Sequence, residues 1–201
     1  MGVYENARNS TTNKIIETFW EMYRTKPINH ITVKELSLAC NIGRGTFYNH
    51  FQDVYAVLEK IEETLSHNLE QMKKDLTEKE SDLIDFNQIL YTYYSDKTIC
   101  DYIKILILNY KDPVFAQNYL SILKELLADA CTEKNAQPLS FRDKTIVDGA
   151  LSSIINILLN CICNTDLSLS EINELIKGLL ENGYYTTLTT QFGIDVLKKL
   201  F

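Results

Sequence analysis

Proline and glycine are scarce in this chain. Its 201 residues hold 3 Pro and 7 Gly, and no glycine falls between Gly45 and Gly149. These are the two residues that most disfavour a helix interior, so their absence over that stretch leaves long helices as the default. Metal-binding residues are also few. There are 3 His and 5 Cys, an odd number, with no C-x-x-C pair. Cys161 and Cys163 are two apart, a spacing that sends helical side chains to different faces, and no His lies near them, which argues against a zinc site. Reduced thiols in a cytoplasmic protein are the simpler reading. A Ser/His/Asp arrangement, a phosphate-binding glycine loop and an H-E-x-x-H motif are all missing, so nothing supports an enzyme or calls for a cofactor.

Long apolar runs are missing too. The most apolar stretch, residues 149–163, carries no charge but includes Asn156 and Asn160, and it falls short of the ~20 apolar residues a membrane span needs. The first residues, MGVYENARNSTTNK, have no apolar core of the kind a signal peptide carries. The expectation is a cytoplasmic protein with no membrane partner. Its formal net charge is -7, spread unevenly: residues 1–60 carry +1 and the remainder -8. A locally basic surface can hold phosphates while a distant acidic region keeps the chain soluble.

What is present is helical periodicity. Ile15, Ile16, Phe19, Met22 and Tyr23 make one apolar face over residues 12–24, and Pro27 ends it. Thr32 and Glu35 then have capping-box spacing, each able to bond the other's amide. Val33, Leu36 and Cys40 are the buried stripe of the helix they open. Asn41, Ile42 and Gly43 follow as a sharp turn, for which Asn tolerates the left-handed backbone best among non-glycine residues. A short helix over residues 44–50 comes next, with Phe47 and Phe51 facing the core. Asp53 caps a long fourth helix to about residue 77, whose stripe is Val54, Val57, Leu58, Ile61, Leu65, Leu69, Met72 and Leu76. Five further spans follow at 83–94, 98–110, 114–134, 143–163 and 169–182. Ser168 and Glu171 form a second capping box, and Gly183 sits at a helix C-cap. The tail, 184–201, reads either way.

The stretch ITVKELSLACNIGRGTFYNHF, residues 31–51, packs helix, tight turn and second helix into about twenty residues. The second helix is too short to stand alone and needs the first as a platform, as a DNA-reading helix does. Its outward residues suit a phosphate-rich partner: Arg44, Thr46, Tyr48, Asn49 and His50, with Gly45 leaving room for close approach. GRGTFYNHF, preceded by ITVKELSLA and followed by Asp53, closely resembles the DNA-binding domain of TetR-family regulators over roughly residues 12–60. The resemblance implies an all-α fold: a three-helix helix-turn-helix domain at residues 9–69, then a helical effector-sensing and dimerisation domain at 70–201. It implies phosphate contacts from Thr32, Tyr48 and His50, and base-edge contacts from Arg44, Gly45, Thr46 and Asn49. It further implies a pseudo-palindromic double-stranded operator and repression released by a small molecule. Three positions depart from the pattern. Asn41 replaces the usual turn Gly, Gly43 stands where a hydroxyl often caps the recognition helix, and Val54 stands where a Lys usually opens the fourth helix.

Two expectations concern the second domain. Tyr91, Tyr94, Tyr102, Leu106, Tyr110, Phe115 and Tyr119 are candidates to line a pocket for a small hydrophobic or aromatic effector; the alternative is that these side chains simply fill a core. Residues 143–163 are apolar around nearly the whole circumference, more than one core absorbs. A homodimer interface is therefore expected from Ile146, Ala150, Leu151, Ile154, Ile155 and Leu158 together with Ile172, Leu175, Ile176 and Leu179. The rival to a ligand-released regulator is a TetR-like interaction module or co-activator that answers to a partner protein.

Overall fold

The computed structural model describes residues 3–78, 92–94, 96–109, 111–131, 140–164, 167–168, 170–172, 174–179 and 182–183. Among them there are helices and turns and no strand. The chain divides into two compact units, Met1–His67 and Asn68–Phe201.

The first unit is built on α1 (Val3–Thr25), a 3-10 turn (Ile28–His30), α2 (Val33–Ala39), α3 (Arg44–Tyr48) and the start of α4 (Val54–Glu78). Helix α1 starts earlier than its apolar periodicity implied, because nothing in the polar run before Thr12 breaks a helix. Pro27 holds the extended backbone that separates α1 from the 3-10 turn. Ile15 and Phe19 of α1, Leu36 and Cys40 of α2, and Phe47 of α3 are fully buried. Burying each large apolar side chain is worth about 1.5–3 kcal/mol, so a five-residue α3 that could not persist alone is held by Phe47. Asp53 caps α4 as its position implied, its Oδ1 accepting the Ala56 amide at 2.9 Å. From Val54 to Met72 every described stripe residue of α4 is buried.

The second unit contains α5 (Lys97–Tyr102), a π-helical turn (Ile103–Leu108), α6 (Pro113–Cys131) and α7 (Phe141–Asn164). Asp96 caps α5 through the amides of Thr98 and Ile99. Asp112 accepts the Phe115 amide, and Pro113 occupies the first position of α6, where a missing N–H costs nothing. The single α-helix expected over 98–110 is not what forms. After Tyr102 the backbone widens, and the Lys104 carbonyl accepts the Asn109 amide five residues on, at 2.9 Å. Ile103, Leu106 and Ile107 of this turn are fully buried, packed where the turn meets α6 and α7. The Ser168–Glu171 box forms in both directions: the Glu171 carboxylate accepts the Ser168 amide at 2.8 Å, and the Ser168 hydroxyl accepts the Glu171 amide at 3.3 Å. The Ser168 hydroxyl also donates to the Glu171 carboxylate at 2.7 Å, and that bond, with the one from the Ser168 amide, holds the carboxyl below the usual range. Gly183 has φ +71°, the left-handed cap for which Gly is suited. Most of the helix expected at 83–94, and the tail at 184–201, lie outside the described residues.

Candidate nucleic-acid interface

Helices α2 and α3 pack together, and α2 packs on α1. The turn between α2 and α3 depends on Asn41, which adopts φ +53°, the left-handed conformation its side chain tolerates. The Asn41 amide bonds the Leu38 carbonyl and the Ile42 amide bonds that of Ser37, closing the turn. Helix α3 ends at Tyr48, two residues before the expected limit; Asn49 and His50 form the turn that follows.

The exposed side of α3 carries Arg44, Gly45, Thr46 and Tyr48, and Asn49 beyond it is exposed as well. Tyr48 keeps 56% of its surface open, while Phe47 beside it keeps none. His50 is half-buried, its Nδ1 2.8 Å from the Thr12 hydroxyl of α1. That bond fixes the imidazole against the domain. Thr12 was not among the expected site residues, and nothing local could have singled it out: the contact joins residues 38 apart.

Thr32 is exposed and caps α2, its hydroxyl accepting the Glu35 amide at 3.2 Å. The reciprocal half of that capping box is replaced. The Glu35 carboxylate instead receives Lys26 Nζ at 2.6 Å, because a full cation from the α1 terminus is a stronger partner than a neutral amide.

Helix α3 is locally weak by three separate choices. Gly43 at its N-cap offers no side chain to accept a first-turn amide. Arg44 places a cation at the positive end of the helix dipole, which is unfavourable. Gly45 costs about 0.5–1 kcal/mol against Ala in a helix, and a Cβ there would meet nothing within 4 Å. Packing inside the domain therefore does not require that glycine.

In the second unit, five of the seven expected pocket residues are described as to burial; Tyr91 and Tyr110 lie outside. Tyr94, Tyr102, Leu106 and Tyr119 are buried and Phe115 is half-buried. The Tyr94 and Tyr119 hydroxyls bond each other at 3.0 Å, and burial pushes both phenols up. Phe115 packs on Tyr119, ring centroids 6.0 Å apart. A cleft of about 340 Å³ lies elsewhere, between Gln117, Leu120, Ser121 and Lys124 of α6 and Ser152, Ile155 and Asn156 of α7.

The residues expected at a dimer interface divide into two sets. Leu151, Ile155, Leu158 and Ile172 are buried within the chain itself. Ile146 is 61% exposed, and Ala150, Ile154, Leu175, Ile176 and Leu179 are half-buried. Packing against α5, the π-helical turn and α6 thus absorbs the inner stripe of α7 and leaves an outer one.

No family model matches this sequence, and no curated protein matches it. Among solved structures, the chain is similar to the fatty acid degradation regulator FadR from Bacillus halodurans. The match covers 88% of this chain and 97% of that one, at a TM-score of 0.53 and 14% sequence identity. The shared feature is the fold. It is all-α, a helix-turn-helix domain followed by a helical bundle. No helix among the described residues is long and apolar enough to cross a membrane.

Proposed function

We propose that this chain is a DNA-binding transcriptional regulator of the TetR type, which inserts α3 into the major groove and acts as a homodimer in the cytoplasm. The observation that carries this reading is the outward row Arg44, Gly45, Thr46 and Tyr48 on a helix that spends local stability to present it. Arg, Thr and Asn supply donors suited to base edges, with Arg matching guanine best. Tyr48, His50 and Thr32 supply phosphate contacts that position the helix without specifying sequence. The similar fold of a fatty acid degradation regulator fits the same reading.

Dimerisation would use the outer stripe of α7 with residues 174–179, pairing with its two-fold copy. Occupying an operator as a dimer makes repression the default outcome. Release by a small hydrophobic effector remains part of the proposal, but the buried Tyr94–Tyr119 pair favours a second reading beside it. In that reading the bundle answers to a partner protein, because those aromatic groups are already satisfied by each other.

Selection from random duplexes is the test. A recovered pseudo-palindrome, with affinity falling steeply as salt rises, is the expected result. Recovery of no common motif would overturn the DNA reading.

A further inference from the structure

Helices α6 and α7 pack against each other and leave a cleft of about 340 Å³ between them. Helical spacing builds it. Gln117, Ser121 and Lys124 follow one another at four and three residues on α6, and Ser152 and Asn156 are four apart on α7, so each set shares one face. Ile155, which is buried, and Leu120, which is half-buried, supply the apolar surface. Gln117, Ser121, Ser152 and Asn156 are exposed, so the cleft is open to water. Ile154, of the outer stripe of α7, is two residues from both Ser152 and Asn156. That spacing turns it to the other side of the helix, so the cleft and the stripe are separate surfaces.

The polar groups of the cleft select a ligand chemistry. Lys124 is the one cation in the lining, and no carboxylate lines it. Its ammonium carries three donors. Asp148, one turn before Ser152, takes it at 3.6 Å, long for a charge-assisted bond, so donors remain. That asks for one anionic group in the ligand. A dianion such as a phosphate would meet Asp148 and a region, residues 61–201, that carries -8, so a single carboxylate fits better. The neutral groups ask for more than a carboxylate. The Ser152 hydroxyl gives its proton to the Asp148 carbonyl at 2.7 Å and can only accept from a ligand. Asn156 Oδ1 already accepts from Asn160 at 3.0 Å, while Asn156 Nδ2 is a donor. The Gln117 side-chain amide and the Ser121 hydroxyl do both, and neither has a hydrogen bond among the described residues. Acceptors beside donors match ligand hydroxyls, which play both roles; a carboxylate only accepts and an ammonium only donates. The volume lies at the lower end of the ~300–1,000 Å³ of small-molecule sites. An extended acyl chain would be left in water by so small and open a cleft.

We propose that the cleft between α6 and α7 binds a polyhydroxylated monocarboxylate, a sugar acid. Its carboxylate lies on Lys124, its hydroxyls on Gln117, Ser121, Ser152 and Asn156, and its C–H face on Leu120 and Ile155. This goes beyond DNA binding and does not depend on it. A ligand that bridges both helices stabilises the folded chain by mass action.

The experiment titrates the full chain with gluconate, glucuronate and galacturonate, following amide resonances and the melting temperature. At least one should bind saturably, shift the amides of residues 117–124 and 152–156, and raise the melting temperature. Glucose, which lacks the carboxylate, and hexanoate, which lacks the hydroxyls, should each bind about tenfold more weakly or not at all. Lys124→Met should lose about tenfold in affinity, the worth of a charge-assisted bond. It should melt close to the parent chain, because its partner Asp148 is exposed and such pairs contribute little. Gln117→Ala, at an exposed position, should weaken binding without removing a charge. The proposal is overturned if none of the three acids binds at millimolar concentration, or if binding survives Lys124→Met unchanged. It is equally overturned if glucose or hexanoate binds as tightly as the acids, or if phosphogluconate binds more tightly than gluconate. Every readout is binding of a small molecule, so failure of operator recognition would not be mistaken for failure of the cleft.

Discussion

The Thr12 hydroxyl of α1 and Nδ1 of His50, just past α3, are 2.8 Å apart. This bond links the scaffold of the helix-turn-helix domain directly to the edge of its outward face. Thr12→Val keeps the side-chain shape and removes the bond. Unfolding stability should fall by about 0.5–1.5 kcal/mol, the net worth of one hydrogen bond. DNA affinity should fall as well, although no exposed residue has changed. Denaturant melts and a fluorescence titration with an operator duplex measure the two effects separately.

Gly45→Ala should separate fold from function. No atom lies within 4 Å of the Cβ it would add, and Ala is favoured over Gly in a helix by about 0.5–1 kcal/mol. The variant should therefore melt at higher temperature. If the backbone of α3 approaches DNA closely, the same methyl should weaken operator binding. A variant that is both more stable and fully active would show that Gly45 is not at the contact.

Gly43→Ser tests the missing cap. The nearest atom to the new Cβ would be Thr46 Oγ1 at 3.8 Å, an ordinary contact. The hydroxyl can accept a first-turn amide, so α3 should gain a few tenths of a kcal/mol. Hydrogen exchange at the Gly45 and Thr46 amides, the second and third of α3, should slow relative to the parent chain.

Ser37 is buried, and its hydroxyl has no hydrogen-bond partner among the described residues. An orphaned buried hydroxyl costs about 1–3 kcal/mol, and Ala is the better helix former. Ser37→Ala should raise the unfolding free energy by about 1 kcal/mol or more. A drop in the urea midpoint would mean the hydroxyl has a partner in solution.

Ile146 and Ile155 lie on one helix, yet charging them should have opposite consequences. Ile146 is 61% exposed and Ile155 3%. Ile146→Glu should leave the fold intact and convert a dimer to a monomer in sedimentation. Ile155→Glu should lower the melting temperature of the monomer itself, since it buries a lone charge in the core. Dimers that survive Ile146→Glu with unchanged affinity would place the interface elsewhere.

The helix-turn-helix was legible because its signals are local. Asn41 announces a left-handed turn, Asp53 announces a cap, and the α4 stripe repeats without interruption. The outward side of the candidate site was legible to the same extent, in exposure alone: Arg44, Thr46, Tyr48 and Asn49 are exposed where their spacing from Phe47 puts them. What escaped depends on partners distant in sequence. The capping pattern of Thr32 and Glu35 cannot reveal that Lys26 will claim the carboxylate. No residue in Ile103–Leu108 marks a π-helical turn, because one extra residue per turn leaves no mark in a segment apolar but for Lys104. The α7 circumference showed an excess of apolar surface, but which side faces inward depends on where α6 and the π-helical turn lie.

The Tyr94–Tyr119 hydrogen bond gives the second unit a property that apolar volume alone does not. Leucines and isoleucines tolerate being shifted by a turn against one another, since one greasy contact replaces another. Two buried phenols do not: sliding α6 by a single helical turn would strand both hydroxyls away from water at once. The pair acts as an alignment pin, admitting one register of these segments and penalising the rest. Replacing both tyrosines with phenylalanine should therefore do little harm to the melting temperature. It should instead broaden the amide spectrum of α6 as alternative registers become accessible.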